Sequence, residues 1–402
     1  MLYLIEMIIQ SNCDMEIEMK QVSGIWQLAT LMLIHFLADM IGGVLAGILP
    51  CVRDHFSLGL QLGVAFLAVR SISSNFFQIA IGSMRKRSQK PFFLYVGLIL
   101  LMMIAVLGLL PKTTPFIVLL IFAIIFGIGT AAVHPEGLRG AMGIKDINVA
   151  TATSAFMMVG FFGFSAGPLV GALIVEGMGF KALGILIIPL AFVIFCLKNA
   201  NITLITDRQK QTDTSKSSSA DYSWSFPQLF LIALLLNIGA TILQALLPTY
   251  LYESMGFSLK YGGFMALLFG MGSALGSFGG GYLSKKYPIP NIIMSSMALG
   301  IPLLIIYIFT CQYVWSGIFI FLAGVFVSSS LPLLVVLARF ARTKLTIGVK
   351  MGVMVGGSWG VAAVIFLLLG GPIEYFGVDK AIKLVVSFYI LALSVAYLCK
   401  KR

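Results

Sequence analysis

The stretch WQLATLMLIHFLADMIGGVLAGILP, Trp26–Pro50, decides the fold. Its 25 residues are enough to cross a bilayer as an apolar helix, which takes about 20. Asp39 nonetheless falls near the middle. A charge there costs about 2.5–3.5 kcal/mol on insertion scales, so it faces a partner or a watery cavity. His35 lies four residues before Asp39 and shares its helix face.

The rest of the chain has the same character. Of its 402 residues 59% are hydrophobic and 10% charged, with a mean hydropathy of +1.02. Soluble domains carry about 25% charged residues, so the class is integral membrane. Apolar runs of this length make helices and not barrel strands. The net charge of +12 sits between the hydrophobic runs, where it sets topology and gives no reason to expect a nucleic-acid partner. Cys13, Cys51, Cys196, Cys311 and Cys399 are scattered without a CxxC, so neither a disulfide framework nor a metal site is expected. Met1–Lys20 carries Glu6, Asp14, Glu16 and Glu18 and no basic leader, unlike a signal peptide.

Twelve apolar segments are predicted at 25–50, 59–83, 91–110, 114–138, 148–175, 180–198, 226–252, 260–284, 289–310, 314–339, 347–371 and 379–399. One long polar stretch, Asn199–Ser225, divides them six and six and reads as a flexible linker. Counted by alternate loops, 20 Lys and Arg lie on the side of the termini and 6 on the other. The positive-inside rule then makes residues 1–24, the linker 199–225 and residues 400–402 cytoplasmic. The halves 25–198 and 226–399 also repeat each other. Ile48-Leu49-Pro50 followed by Phe56-Ser57-Leu58 recurs as Leu246-Leu247-Pro248 followed by Phe257-Ser258-Leu259. The expected fold is therefore all-α, with twelve transmembrane helices in two six-helix bundles and a site at the midplane between them.

Glycines recur every fourth residue in three spans: Gly163, Gly167, Gly171; Gly272, Gly276, Gly280; and Gly348, Gly352, Gly356, Gly360. Small residues at this spacing let helices approach closely in lipid, either as static packing or as a sliding face between the bundles. The second reading sets the expectation, because spans five, eight and eleven would meet across the halves.

Asp39 and Arg70 are the charges near the middle of a span, at similar depth on consecutive helices. Either Asp39 exchanges a proton while Arg70 pairs with it or with an anionic substrate, or the two form a permanent ion pair. His35 either relays protons to Asp39 or bonds a neighbouring helix. His134, Glu136 and Arg139 cluster at the end of span four, as a cytoplasmic gate or as a solvated helix end, with Pro135 disturbing the helix between them. Asn75, Asn237, Gln244 and Trp359 are polar groups within spans, and they line a substrate cavity or bond helix to helix. No Gly-x4-Gly-Lys-Ser/Thr occurs, so ATP is not the driver. No nucleophile–base pair, carboxylate pair or metal cluster is visible in the spans, which argues against an enzyme; no cofactor is expected.

These features resemble the major facilitator superfamily along nearly the whole chain. Gly163-Phe-Ser-Ala-Gly167-Pro168-Leu-Val-Gly171 is similar to the span-five signature of its proton-coupled exporters. His35-Phe-Leu-Ala-Asp39, Phe126-Gly-Ile-Gly129 with His134-Pro135-Glu136 and Arg139, and Leu331–Ala338 resemble the fosmidomycin-resistance group of bacterial efflux proteins. The loop acid of the superfamily's Gly-x-x-x-Asp-Arg is missing after Gly82 and again after Gly281. The resemblance implies a monomeric inner-membrane antiporter that exports a small polar or drug-like molecule in exchange for protons. Uptake of an organic anion anchored by Arg70, or a receptor that no longer cycles, are the alternatives.

Overall fold

The computed structural model describes residues 23–84, 88–206, 224–345 and 347–400, the surroundings of Ala150, Ile347 and Gly348 excepted. Twelve helices are long and apolar enough to cross a membrane. They are α1 (Gly24–Gly47), α2 (Leu60–Ser83), α3 (Phe92–Leu109), α4 (Phe116–Met142), α5 (Thr151–Met178) and α6 (Phe180–Asn199). The second set comprises α7 (Phe226–Ser254), α8 (Leu259–Leu283), α9 (Ile289–Thr310), α10 (Val314–Phe340), α11 (Val349–Leu368) and α12 (Val378–Lys400). No strand occurs among the described residues. Helices meet all but their terminal backbone donors within the segment, as lipid demands.

Twelve crossings bring Gly24 and Lys400 to one face, called here the termini face. The second half starts its first two helices with local chemistry. Ser225 and Gln228 close a capping box at α7, and the Ser258 hydroxyl accepts the Tyr261 N–H at α8. Pro50 opens a short helix, Leu49–Phe56, on the far face, ended by Ser57 at φ +54°. Two helices depart from regular geometry: α7 ends in a π turn at Tyr250–Ser254, and α11 contains one at Val353–Gly357.

The glycine rows mostly pack inside the bundles, contrary to the expectation of a sliding face. Gly163 lies on the Phe36 backbone, Gly167 on Met40 and Gly43, and Gly171 on Val44 and Ile48, so this row zips α5 to α1 within the first half. Gly272 and Gly276 lie on the backbones of Phe321 and Val325, and Gly280 on Ser329, zipping α8 to α10 within the second half. Spacing reveals that a close partner exists but not which helix supplies it. In the third row Gly356 meets Ile79 and Gly360 meets Phe76, both on α2 across the halves. Gly352 has open space beside it, and Gly348 lies outside the described surroundings.

Residues 200–206, expected to start a flexible linker, lie along the first bundle. Ile202 and Leu204 are buried, Leu204 N–H donates to the Gln89 carbonyl, and Arg139 Nε donates to Ile205 O at 2.9 Å. The alternating apolar residues in Asn201-Ile-Thr-Leu-Ile205 make this an edge that packs, not a spacer. The rest of the linker, the tail 1–22 and residues 401–402 fall outside the described residues.

Candidate functional site

The site is built on α1. The i, i+4 spacing sets His35 and Asp39 on one face, and His35 Nε2 lies 3.1 Å from Asp39 Oδ2. On the other side of the carboxylate His134 Nε2, from α4, lies 3.1 Å from Oδ1. His134 thus belongs with Asp39 and not to a gate at the helix end. Each imidazole is held from behind by a backbone carbonyl. His35 Nδ1 donates to Phe156 O at 2.7 Å and His134 Nδ1 to Thr130 O at 2.8 Å. His35 also stacks on the Phe156 ring, at 4.1 Å between centroids. Gly160 on α5 leaves the room that the His35 ring and Asp39 occupy. His35 is 2% exposed, whereas Asp39 and His134 are 16% and 19% exposed, so the cluster is reached from the Asp39–His134 side.

Arg70 does not pair with Asp39. Its Nη1 donates to the Gly42 carbonyl at 3.0 Å, and its buried Nε has no hydrogen-bond partner. The backbone of Arg70 packs on Gly127 of α4. The two histidines take the places on the carboxylate that a bond from Arg70, one of the two roles expected of the guanidinium, would have filled.

The other polar residues divide. Asn237 Nδ2 donates to Ser358 Oγ at 2.7 Å, deep between α7 and α11, so it joins helices and does not line a cavity. Asn75 Nδ2 donates to Ser71 O of its own helix at 2.9 Å, and the Asn75 backbone carbonyl faces Gly356 on α11. Gln244 lies where the halves touch, in a narrow cleft with Phe164, Ser165, Pro168 and Phe269. Trp359 is half-buried on α11.

Glu136 and Arg139 serve the first bundle from inside. Glu136, 2% exposed, accepts the backbone N–H of Phe93 at 2.6 Å and of Leu94 at 3.1 Å, and so caps α3. A carboxylate at a helix start satisfies otherwise orphaned donors and complements the helix dipole. Arg139 holds the 88–91 loop through Ser88 O at 2.8 Å, together with the 200–206 strap. These bonds correct the gate expectation for both residues.

The sequence reading missed the contacts that close the far face. Arg53 pairs with Glu253, from opposite halves. Glu176 on α5 accepts the Leu259 N–H at 2.6 Å and stands 3.5 Å from Lys260 Nζ on α8. Glu374 accepts the Gln61 N–H at 2.6 Å. The available signal was charge placement, since acids in far-face connections of one half match bases or helix starts in the other. At the termini face, Gly279 and Gly281 at the end of α8 have nothing within 4 Å, as does Gly352 on α11. The halves are latched at the far face, and toward the termini face α11 still meets α2 where Gly356 lies on Ile79.

The family model described as Major Facilitator Superfamily matches residues 31–367. The chain is 26% identical over 373 residues to the MFS-type transporter YfnC of Bacillus subtilis (strain 168), covering 89% of each. It is 24% identical over 387 residues to the fosmidomycin resistance protein of Escherichia coli (strain K12), covering 93% of each. Among solved structures, a bacterial homologue of the human lysosomal transporter Spinster, inward-facing and unoccupied, superposes with a TM-score of 0.73 at 15% identity, over 94% of this chain and 97% of that one. The nucleoside transporter NupG gives 0.67 at 13% identity, over 93% and 99%. At these identities the structures speak for the fold alone.

Proposed function

The chain belongs to the Major Facilitator Superfamily, and we propose that it is a proton-coupled antiporter that exports a small polar or drug-like molecule by alternating access. As a member of the family it is a multi-pass membrane transporter and not an enzyme. The observation that carries the finer reading is the His35–Asp39–His134 cluster. It is a carboxylate between two imidazoles, inside the first bundle and open on one side. Such a group takes up and gives up protons where a permanent ion pair with Arg70 would not. With the termini cytoplasmic in a bacterial inner membrane, as the Lys and Arg asymmetry favours, the latched far face is the outer side and the site is entered from the cytoplasm. Substrate enters there and meets the neutral wall at Gln244, while the far-face latch keeps it from the outside.

One observation favours a second reading. Arg70 keeps a buried Nε–H without an acceptor, and an organic anion would satisfy it. Uptake of an anion with protons then replaces export.

Purified protein in liposomes with a pH-sensitive dye inside tests both readings. A substrate that moves protons, run against both gradient directions, is expected. Absence of substrate-dependent proton flux across a broad panel overturns the coupling. Accumulation of anions along the inward proton gradient selects the uptake reading.

A further inference from the structure

The cluster carries more than a proton reading. The ligand atoms of His35, Asp39 and His134 all lie within 4.8 Å of one another. Both Nδ1 atoms face backbone carbonyls, of Phe156 and Thr130, at 2.7 and 2.8 Å. A carbonyl only accepts, so each Nδ1 carries its hydrogen and each Nε2 is the variable end. Each Nε2 is 3.1 Å from an Asp39 oxygen. With both lone pairs bare, two acceptors would face a carboxylate with nothing between them. The arrangement holds together only with something positive inside it.

We propose that His35, Asp39 and His134 bind one divalent transition-metal ion in place of two protons. With two imidazolium rings and a carboxylate the cluster has a charge of +1. With a divalent ion, two neutral rings and the carboxylate it is again +1, and two protons leave to solvent. The Arg70 guanidinium, held at the Gly42 carbonyl three residues beyond Asp39 on α1, therefore meets the same charge in either state. In a tetrahedral zinc site with bonds of about 2.0–2.2 Å, ligand atoms stand about 3.3–3.6 Å apart. The two 3.1 Å separations run to different Asp39 oxygens, and with one ligand atom per residue the set spans up to 4.8 Å, so the rings and the carboxylate draw together around an ion. Two imidazoles select zinc, cobalt, nickel or copper over magnesium and calcium. Backbone carbonyls behind both rings are the outer shell that fixes the tautomer a metal needs. Three protein ligands leave a coordination position open on the Asp39–His134 side. The inference does not depend on the transport reading.

The test uses the full chain in detergent, without a gradient. Cobalt(II) is titrated and its visible ligand-field bands recorded; zinc is titrated by calorimetry in two buffers of different ionisation enthalpy. The expected result is one ion per chain, with proton release approaching two per ion at low pH and falling as pH rises. His134→Gln and Asp39→Asn, checked for unchanged elution and melting, lose the bands. His55→Gln, an imidazole on the far face bonded to Leu110 O, keeps them. Absence of bands in the unaltered chain, or bands that survive both His134→Gln and Asp39→Asn, overturns the proposal. Proton flux in liposomes is read without metal, so failure here leaves the transport reading standing, and the reverse holds too.

Discussion

His134 Nε2 lies 3.1 Å from Asp39 Oδ1, joining α4 to α1 across a midplane that holds few other charges. Asp39→Asn keeps the shape of that contact and removes the charge. Proton-driven transport should fall by about 10²–10⁴, the range a positioned proton-transfer group contributes. Substrate counterflow without a gradient and the melting temperature should stay near those of the unaltered chain. Normal proton-driven transport by this variant would remove Asp39 from the mechanism.

Gly167 and Gly360 separate packing within a bundle from contact between bundles. Gly167→Leu places its side chain on the backbone of Met40 and Gly43. Overpacking of this kind costs about 1–3 kcal/mol or more, and a drop in folded yield and melting temperature is expected. Gly360→Leu meets only the ring of Phe76 across the interface. That variant should fold and cycle about tenfold more slowly, a rate loss worth about 1.4 kcal/mol. Equal losses of stability in both would contradict the assignment of the two rows.

Cys51 reports on the far-face latch. Burial, and after it the negative Asp54 and Glu176, push its thiol up to about 11. Only the thiolate reacts, so at pH 8 about 1 in 1,000 thiols is reactive. Maleimide labelling of Cys51, followed by mass spectrometry of its peptide, should keep rising with pH beyond 9, where an ordinary cysteine levels off. Glu176→Gln removes one of these charges and the contact with Lys260, each exposed pair being worth about 0.2–1 kcal/mol. Labelling should then quicken severalfold. An unchanged rate would mean that the latch does not govern access to this face.

Glu136 distinguishes a cap from a gate. Glu136→Leu leaves the Phe93 and Leu94 donors buried without an acceptor, at about 1–3 kcal/mol for each such group. Glu136→Gln retains one acceptor oxygen and should cost less. Thermal unfolding in detergent measures both. Transport per folded molecule should change less than twofold; a collapse of transport at full stability would restore the gate reading.

The hydrophobic runs made the spans legible, because lipid allows a backbone few alternatives to the helix. The i, i+4 pair His35 and Asp39 was legible for the same reason, since periodicity fixes a face. The third member was not. His134 is 95 residues beyond Asp39, and only the placement of α4 beside α1 brings it near. Its neighbours Glu136 and Arg139 read as a gate because a helix end looks alike whether it faces water or caps another helix. The Arg70 pairing failed on a competitor. Equal depth allowed a bond to Asp39, but the Gly42 carbonyl was closer to hand.

The α1–α5 zipper sets a thermodynamic condition. Gly43 and Gly47 on one helix, and Gly163 and Gly167 on the other, bring backbone against backbone with no compliant side chain between. Asp39 and His35 ride on α1, and the Phe156 carbonyl that orients His35 rides on α5. The cluster is a passenger of one stiff body, and tilting that body against α8 changes which compartment it sees while leaving its own geometry alone. Its intrinsic hold on a cation is then equal on the two sides. Net movement draws its direction from the ambient concentrations and the membrane potential, and reversing both would run the same molecule backwards.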